Sequence, residues 1–140
     1  LVPIVTLAIV ILVASWMCPG FEVTHRPFLE AIGAQAPSPE VAVDMLVWAK
    51  HESGFGQKLK GDGGNSWGIL QLWGHHELEH DEVGSVAAWL KVRAHAVERC
   101  GEERALAGLS SGHCDRGVTL ATSRETTARW WLGAAMMSLR

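Results

Sequence analysis

The sequence predicts a mostly α domain with at most a short β-hairpin, preceded by an apolar amino-terminal helix. Three observations carry that prediction. Apolar residues recur at helical spacing in three stretches, near residues 38–53, 85–99 and 122–138. A glycine-rich segment at 54–68 separates the first from the second and leaves room for little regular strand. Residues 1–17 are apolar except for Pro3, Thr6 and Ser15. With 140 residues the chain holds one domain with a real core, not two. Hydrophobic residues make up 48% and charged residues 19%, which excludes a disordered chain. The net charge of -3 and the lack of any Lys/Arg-rich run give no footprint for nucleic acid. No internal repeat is present.

Residues 1–18 read as a signal peptide or membrane anchor, apolar all round and closed by Pro19-Gly20. Val13-Ala14-Ser15 offers small residues for cleavage. The competing reading is a buried core helix. Residues 19–37 carry Pro19, Pro27, Gly33 and Pro37 and read as a linker, which leaves 38–140 as the domain. Ser38-Pro39-Glu40 has the order of a helix start: cap, proline in the first turn, then an acid. Val41, Met45, Trp48 and Glu52 then share a face, and Gly54 stops the helix. The helix near 85–99 turns Val86, Trp89, Leu90 and Val97 inward and ends at Gly101. A short helix follows at 102–109, then a loop at 110–118. Thr122-Ser123-Arg124-Glu125 fits a capping box opening the last helix, with Ala128, Trp131, Leu132, Ala135 and Met136 inward. In an exported chain Cys100 and Cys114 would pair in a disulfide.

The chemistry concentrates where the first helix of the domain ends. Glu52 closes an apolar helix face and a glycine-rich loop follows, an arrangement suited to a general acid beside a bulky substrate. Ser53, Ser66 and Gln71 supply uncharged hydrogen bonds, which suits a sugar. Together, Glu52-Ser53 and Ser66-Trp67-Gly68-Ile69-Leu70-Gln71-Leu72 resemble the lytic transglycosylase and goose-type lysozyme superfamily. That family pairs Glu-Ser at a helix end with a later Ser-x-Gly-x-x-Gln. Ala105-Leu106-Ala107-Gly108-Leu109-Ser110-Ser111-Gly112 is similar to a third family block, with Leu109 where the family has a tyrosine. The resemblance spans residues 38–138. It implies a compact lysozyme-like catalytic domain, with Glu52 as catalytic acid and Ser53, Asp62, Ser66, Gln71 and Ser110 contacting substrate. The implied reaction is cleavage of the β-1,4 bond between N-acetylmuramic acid and N-acetylglucosamine in peptidoglycan. Asp62 is the candidate second carboxylate of a hydrolytic lysozyme; a turn residue before Gly63-Gly64 is the other reading.

Two further motifs compete. His76-Glu77-Leu78-Glu79-His80 fits HExxH, which on a helix would put His76 and His80 on one face to bind zinc. Charged Glu79 and the flanking Gly74 and Asp81-Glu82 argue against it. Gly64-Asn65-Ser66-Trp67-Gly68 fits GxSxG, but no buried strand precedes it. The resemblance thus implies a monomeric, exported or membrane-tethered lytic transglycosylase, or else a lysozyme, with Glu52 as general acid and base and no cofactor, acting on glycan strands in the periplasm, outside the cell or from the inner membrane. A zinc peptidase and a non-catalytic wall-binding relative are the alternatives.

Overall fold

The computed structural model describes residues 2–140. Its centre is a helix that the sequence starts and stops unambiguously. Helix α4 (Pro39–Ser53) is capped by the Ser38 hydroxyl, which accepts from the Val41 N–H at 3.3 Å. It ends at Gly54, whose φ of 60° is the left-handed turn that glycine adopts without penalty. Every residue from Val41 to Ala49 is buried, so α4 is a core helix surrounded by the others.

Three helices precede it: α1 (Val2–Met17), α2 (Phe21–Thr24) and α3 (Arg26–Gln35). The apolar segment expected as a separable signal or anchor is, in the fold, α1, a helix packed on α3, α4 and the last helix of the chain. Ile9, Val10, Val13 and Ala14 are buried there. Among the described residues no helix is long and apolar enough to cross a membrane. The expected linker at 19–37 is instead largely α2 and α3, with Phe21, Phe28, Leu29 and Ile32 buried. Pro27 sits in the first turn of α3, where a proline removes no helical hydrogen bond. Gly33 is a contact residue rather than a breaker. A Cβ there would lie 2.9 Å from the Leu7 Cβ and 3.0 Å from the Leu7 Cα, so α1 and α3 cross backbone to backbone.

After α4 the chain forms three short antiparallel strands in the order β1 (Lys60–Gly61), β2 (Ser66–Trp67), β3 (Leu72–Trp73). Lys60 pairs with Trp67, and Ser66 pairs with Trp73. This is one strand more than a hairpin. A 3-10 turn (His76–Leu78) leads to α5 (Glu82–Cys100), capped by Asp81, whose carboxylate accepts from the Gly84 N–H at 2.8 Å. A second 3-10 turn (Glu102–Arg104) and α6 (Ala105–Ser111) follow.

The last helix, α7 (Val118–Ser138), begins just after Gly117, four residues before the expected start at Thr122. Thr122-Ser123-Arg124-Glu125 therefore lies inside the helix and caps nothing. The buried stripe of α7 is Ala121, Arg124, Ala128, Leu132 and Ala135, while Met136 is exposed. Cys100 and Cys114 are joined in a disulfide that ties the end of α5 to the loop before α7. Closing a loop of that length stabilises the fold by about 3 kcal/mol in the chain-entropy description. Cys18 is free and half-buried.

A candidate active-site cleft at the end of the central helix

The last turns of α4 and α6 and the small sheet enclose a cleft of about 300 Å³. Its polar lining is Glu52, Asp62, Ser66, Gln71, His75 and Ser110. Its apolar side is Trp48, Leu70, Leu72, Val92 and Leu109, with Trp73 also on the wall. Five of the six expected site residues thus come together. The sixth, Ser53, does not.

Ser53 is 2% exposed and works for the backbone. Its hydroxyl faces the Ile69 carbonyl at 2.6 Å and accepts from the Gly56 N–H at 2.9 Å. It pins the helix end to the loop between β2 and β3, so its role as a substrate contact is corrected to a structural one. A polar side chain beside a left-handed cap is well placed to satisfy loose backbone groups.

Glu52 projects from the final turn of α4 with 30% of its side chain exposed. Its Oε1 accepts from Nη1 of Arg124 on α7 at 2.8 Å. The Arg124 guanidinium lies over the Trp48 ring, 4.5 Å from its centroid, and its Nε is buried without a hydrogen-bond partner. Next door, burial first and then the Arg124 and Lys50 charges hold the His51 imidazole below the usual histidine range, with Glu52 opposing them.

Asp62 sits in the β1–β2 turn with φ 49° and accepts from the Ser66 hydroxyl at 2.5 Å. Gln71 also has positive φ, 50°, and its amide nitrogen donates to the Lys58 and Gly68 carbonyls at 3.2 and 2.8 Å. The Gln71 amide end lies close against Gly61, where a Cβ would displace it. Non-glycine residues held at positive φ are strained, and here two of three line the cleft. The Ser110 hydroxyl contacts the Ala107 carbonyl at 3.2 Å.

The zinc alternative lacks its geometry. Residues 76–78 form a 3-10 turn rather than an α-helix, so His76 and His80 are not presented from one helical face. Their side chains are 78% and 79% exposed and lie beside Glu77 and Glu79. No group of three or more metal-ligating side chains occurs among the described residues. The GxSxG match falls in an antiparallel turn-and-strand, not at a strand-to-helix elbow.

Two residues of the site escaped sequence reasoning. His75 lines the cleft, its Nδ1 2.8 Å from the Glu77 carboxylate. That contact, the largest influence on Glu77, holds the Glu77 carboxyl below its usual range. Arg124 was hidden inside an apparent capping box. Its signal is periodicity: it occupies a core position between Ala121 and Ala128 on an otherwise apolar stripe.

A second ion pair joins the same two helices deeper in. Asp44 of α4 is 5% exposed, and its two carboxylate oxygens face Nη1 and Nη2 of Arg129 at 3.2 and 3.4 Å. Burial pushes the Asp44 carboxyl up to about 6, against the pull of Arg129.

The chain matches no family model, no curated protein and no solved structure.

Proposed function

We propose that the protein is a peptidoglycan-cleaving glycosidase, a lytic transglycosylase acting on the β-1,4 bond between N-acetylmuramic acid and N-acetylglucosamine. The observation that carries the reading is the meeting, in one open cleft, of a helix-end carboxyl with uncharged hydrogen-bonding groups and indole. Trp73 is 68% exposed on the wall of that cleft, a flat apolar surface for a pyranose ring. Asp62, Gln71 and Ser110 offer acceptors and a hydroxyl, which match sugar hydroxyl and acetamido groups, while Ser66, 2% exposed, acts through the hydrogen bond that holds Asp62.

In this mechanism Glu52, in its acid form, donates its proton to the glycosidic oxygen as the bond to the muramyl C1 breaks. The resulting carboxylate then takes the proton of the muramyl 6-hydroxyl as that oxygen bonds to C1. The product is a 1,6-anhydro sugar, and Glu52 regains its proton. If water attacked instead, the product would be the reducing sugar and Asp62 the helper. A peptidoglycan substrate lies outside the cytoplasmic membrane, and the Cys100–Cys114 disulfide suits such an oxidising compartment.

One observation favours a second reading, a wall-binding relative without activity. Leu109 gives the cleft an apolar wall where the resembled family has a tyrosine hydroxyl. Purified peptidoglycan incubated with the protein, followed by mass spectrometry of released fragments, separates the readings. The enzyme releases sugar-chain fragments, lighter by one water than hydrolytic products, in the presence of a chelator. A folded protein that sediments with the wall and releases nothing supports the second reading.

A further inference from the structure

We infer that Arg124 is a positioning residue for catalysis: a fixed counter-ion that receives the negative charge formed on Glu52 when the proton leaves. The inference rests on the glycosidase reading and names a residue outside the sequence motifs that suggested it.

Three independent features set Arg124 apart from a surface arginine. It is 8% exposed, in the middle of the buried stripe of α7. Its guanidinium carbon lies over the Trp48 ring, 4.5 Å from the centroid, and Trp48 in turn lines the cleft. Its Nη1 points at Glu52 Oε1, while its Nε is turned into the protein without a partner. Burying an arginine with an unsatisfied N–H is unfavourable, and simple packing on that stripe is already achieved by alanine and leucine. The arrangement keeps a positive charge in one place beside one carboxylate.

That placement matters because the two forms of Glu52 interact with it unequally. A guanidinium gains far more from a carboxylate than from a carboxylic acid. The interaction therefore strengthens as Glu52 gives up its proton, the condition for an interaction to lower a barrier. It also holds the carboxylate aimed into the cleft for the second half of the reaction. Because Trp48 and the α7 backbone fix the guanidinium, no solvent rearrangement is needed at that moment.

The other titratable and charged groups around Glu52 are His51 and Lys50 on its own helix, Asp62 from the β1–β2 turn and His75 after β3. Helix α5 and the α6 end contribute only Val92, Leu109 and Ser110 to the cleft. Arg124 is thus the cation whose removal changes Glu52 most directly.

The test is the pH profile of fragment release by the full chain, for wild type, Arg124→Met, Arg124→Gln and Arg124→Lys. Thermal melts establish that each is folded, and two neutral variants are used so that one failing to fold leaves the other. A neutral residue removes the fixed charge that favours the carboxylate formed during the reaction, so the alkaline limb of fragment release moves up. At the wild-type optimum kcat falls about tenfold or more while KM changes less than twofold. Arg124→Lys keeps the limb near its wild-type position. Products from every variant with an unmoved limb, or a lysine variant displaced as far as the neutral ones, overturn the role of Arg124 alone. A folded wild type that releases no sugar fragments overturns the glycosidase reading, and the catalytic role of Arg124 with it.

Discussion

The two ion pairs between α4 and α7 use the same residue types in opposite ways. Asp44 and Glu52 lie eight residues apart, about 12 Å along one helix face, with Trp48 between them. Each meets an arginine of α7. At the inner pair the carboxylate side chain is 4% exposed and the Arg129 side chain 44%. At the outer pair the order reverses, with Glu52 at 30% and Arg124 at 10%. Which partner is buried decides what the pair can do. A buried carboxyl with a solvated arginine is a stability element whose charge is resisted by its surroundings. A buried arginine with a carboxyl open to a cleft is a fixed field acting on an accessible proton donor.

The largest difference is in activity. Glu52→Gln lowers fragment release by about 10²–10⁴, the range removed with a general acid, and the variant stays folded. Asp44→Asn at the same assay leaves release within a few-fold. If both substitutions abolish release equally, the contrast between the pairs is wrong.

The next effect is on stability against pH. The folded-state value of Asp44 is raised from 3.8 to about 6, so the native state holds a proton that the unfolded state has lost. Its stabilising contribution is complete below the unfolded value and is lost as pH rises through the folded one. Denaturant unfolding of the wild type therefore shows a loss of about 2–3 kcal/mol from this group between pH 4 and pH 7. Asp44→Asn lacks that slope. Equal slopes in the two proteins contradict the assignment.

Smaller effects sharpen the boundary between structural and chemical residues. Gly33→Ala puts a Cβ against the Leu7 backbone and costs about 1–3 kcal/mol, read as a lower melting temperature. Little change there means α1 does not pack closely on α3. Ser53→Ala removes the hydroxyl that holds Ile69 and Gly56 and costs about 1–2 kcal/mol. The folded fraction of that variant retains its activity if Ser53 is structural, and loses it if Ser53 touches substrate.

The sequence made some of this legible and hid the rest for identifiable reasons. Local signals on α4 all agreed: Ser38, Pro39, the apolar face and Gly54 each mark what the helix does there. Glu52 was legible because a carboxyl ends that face. Ser66 and Gln71 were legible as uncharged hydrogen-bonding groups near Glu52, whereas Asp62 and Ser110 needed the family resemblance, since nothing in the spacing shows that a turn, the small sheet and a distant helix end converge.

Residues 1–17 are ambiguous in sequence because an apolar run is composed alike whether it faces lipid or a protein core, and α1 packs on α3 and α4. Pro27 and Gly33 were read as breakers, yet one starts a helix and the other lets a neighbour approach. Ser53 was read by its polarity and not by the backbone groups that need it. Arg124 was obscured because Thr122-Ser123 imitated a cap, while the true start lay at Gly117, a weaker signal.

The most direct test of the central claim sets the two carboxyl groups side by side on purified peptidoglycan. Fragments released by wild type, Glu52→Gln and Asp44→Asn are weighed after equal incubation at the wild-type optimum. Wild type and Asp44→Asn release anhydro-sugar fragments, and folded Glu52→Gln releases none. Undiminished fragments from Glu52→Gln would contradict the role of Glu52 and move the chemistry away from the end of α4.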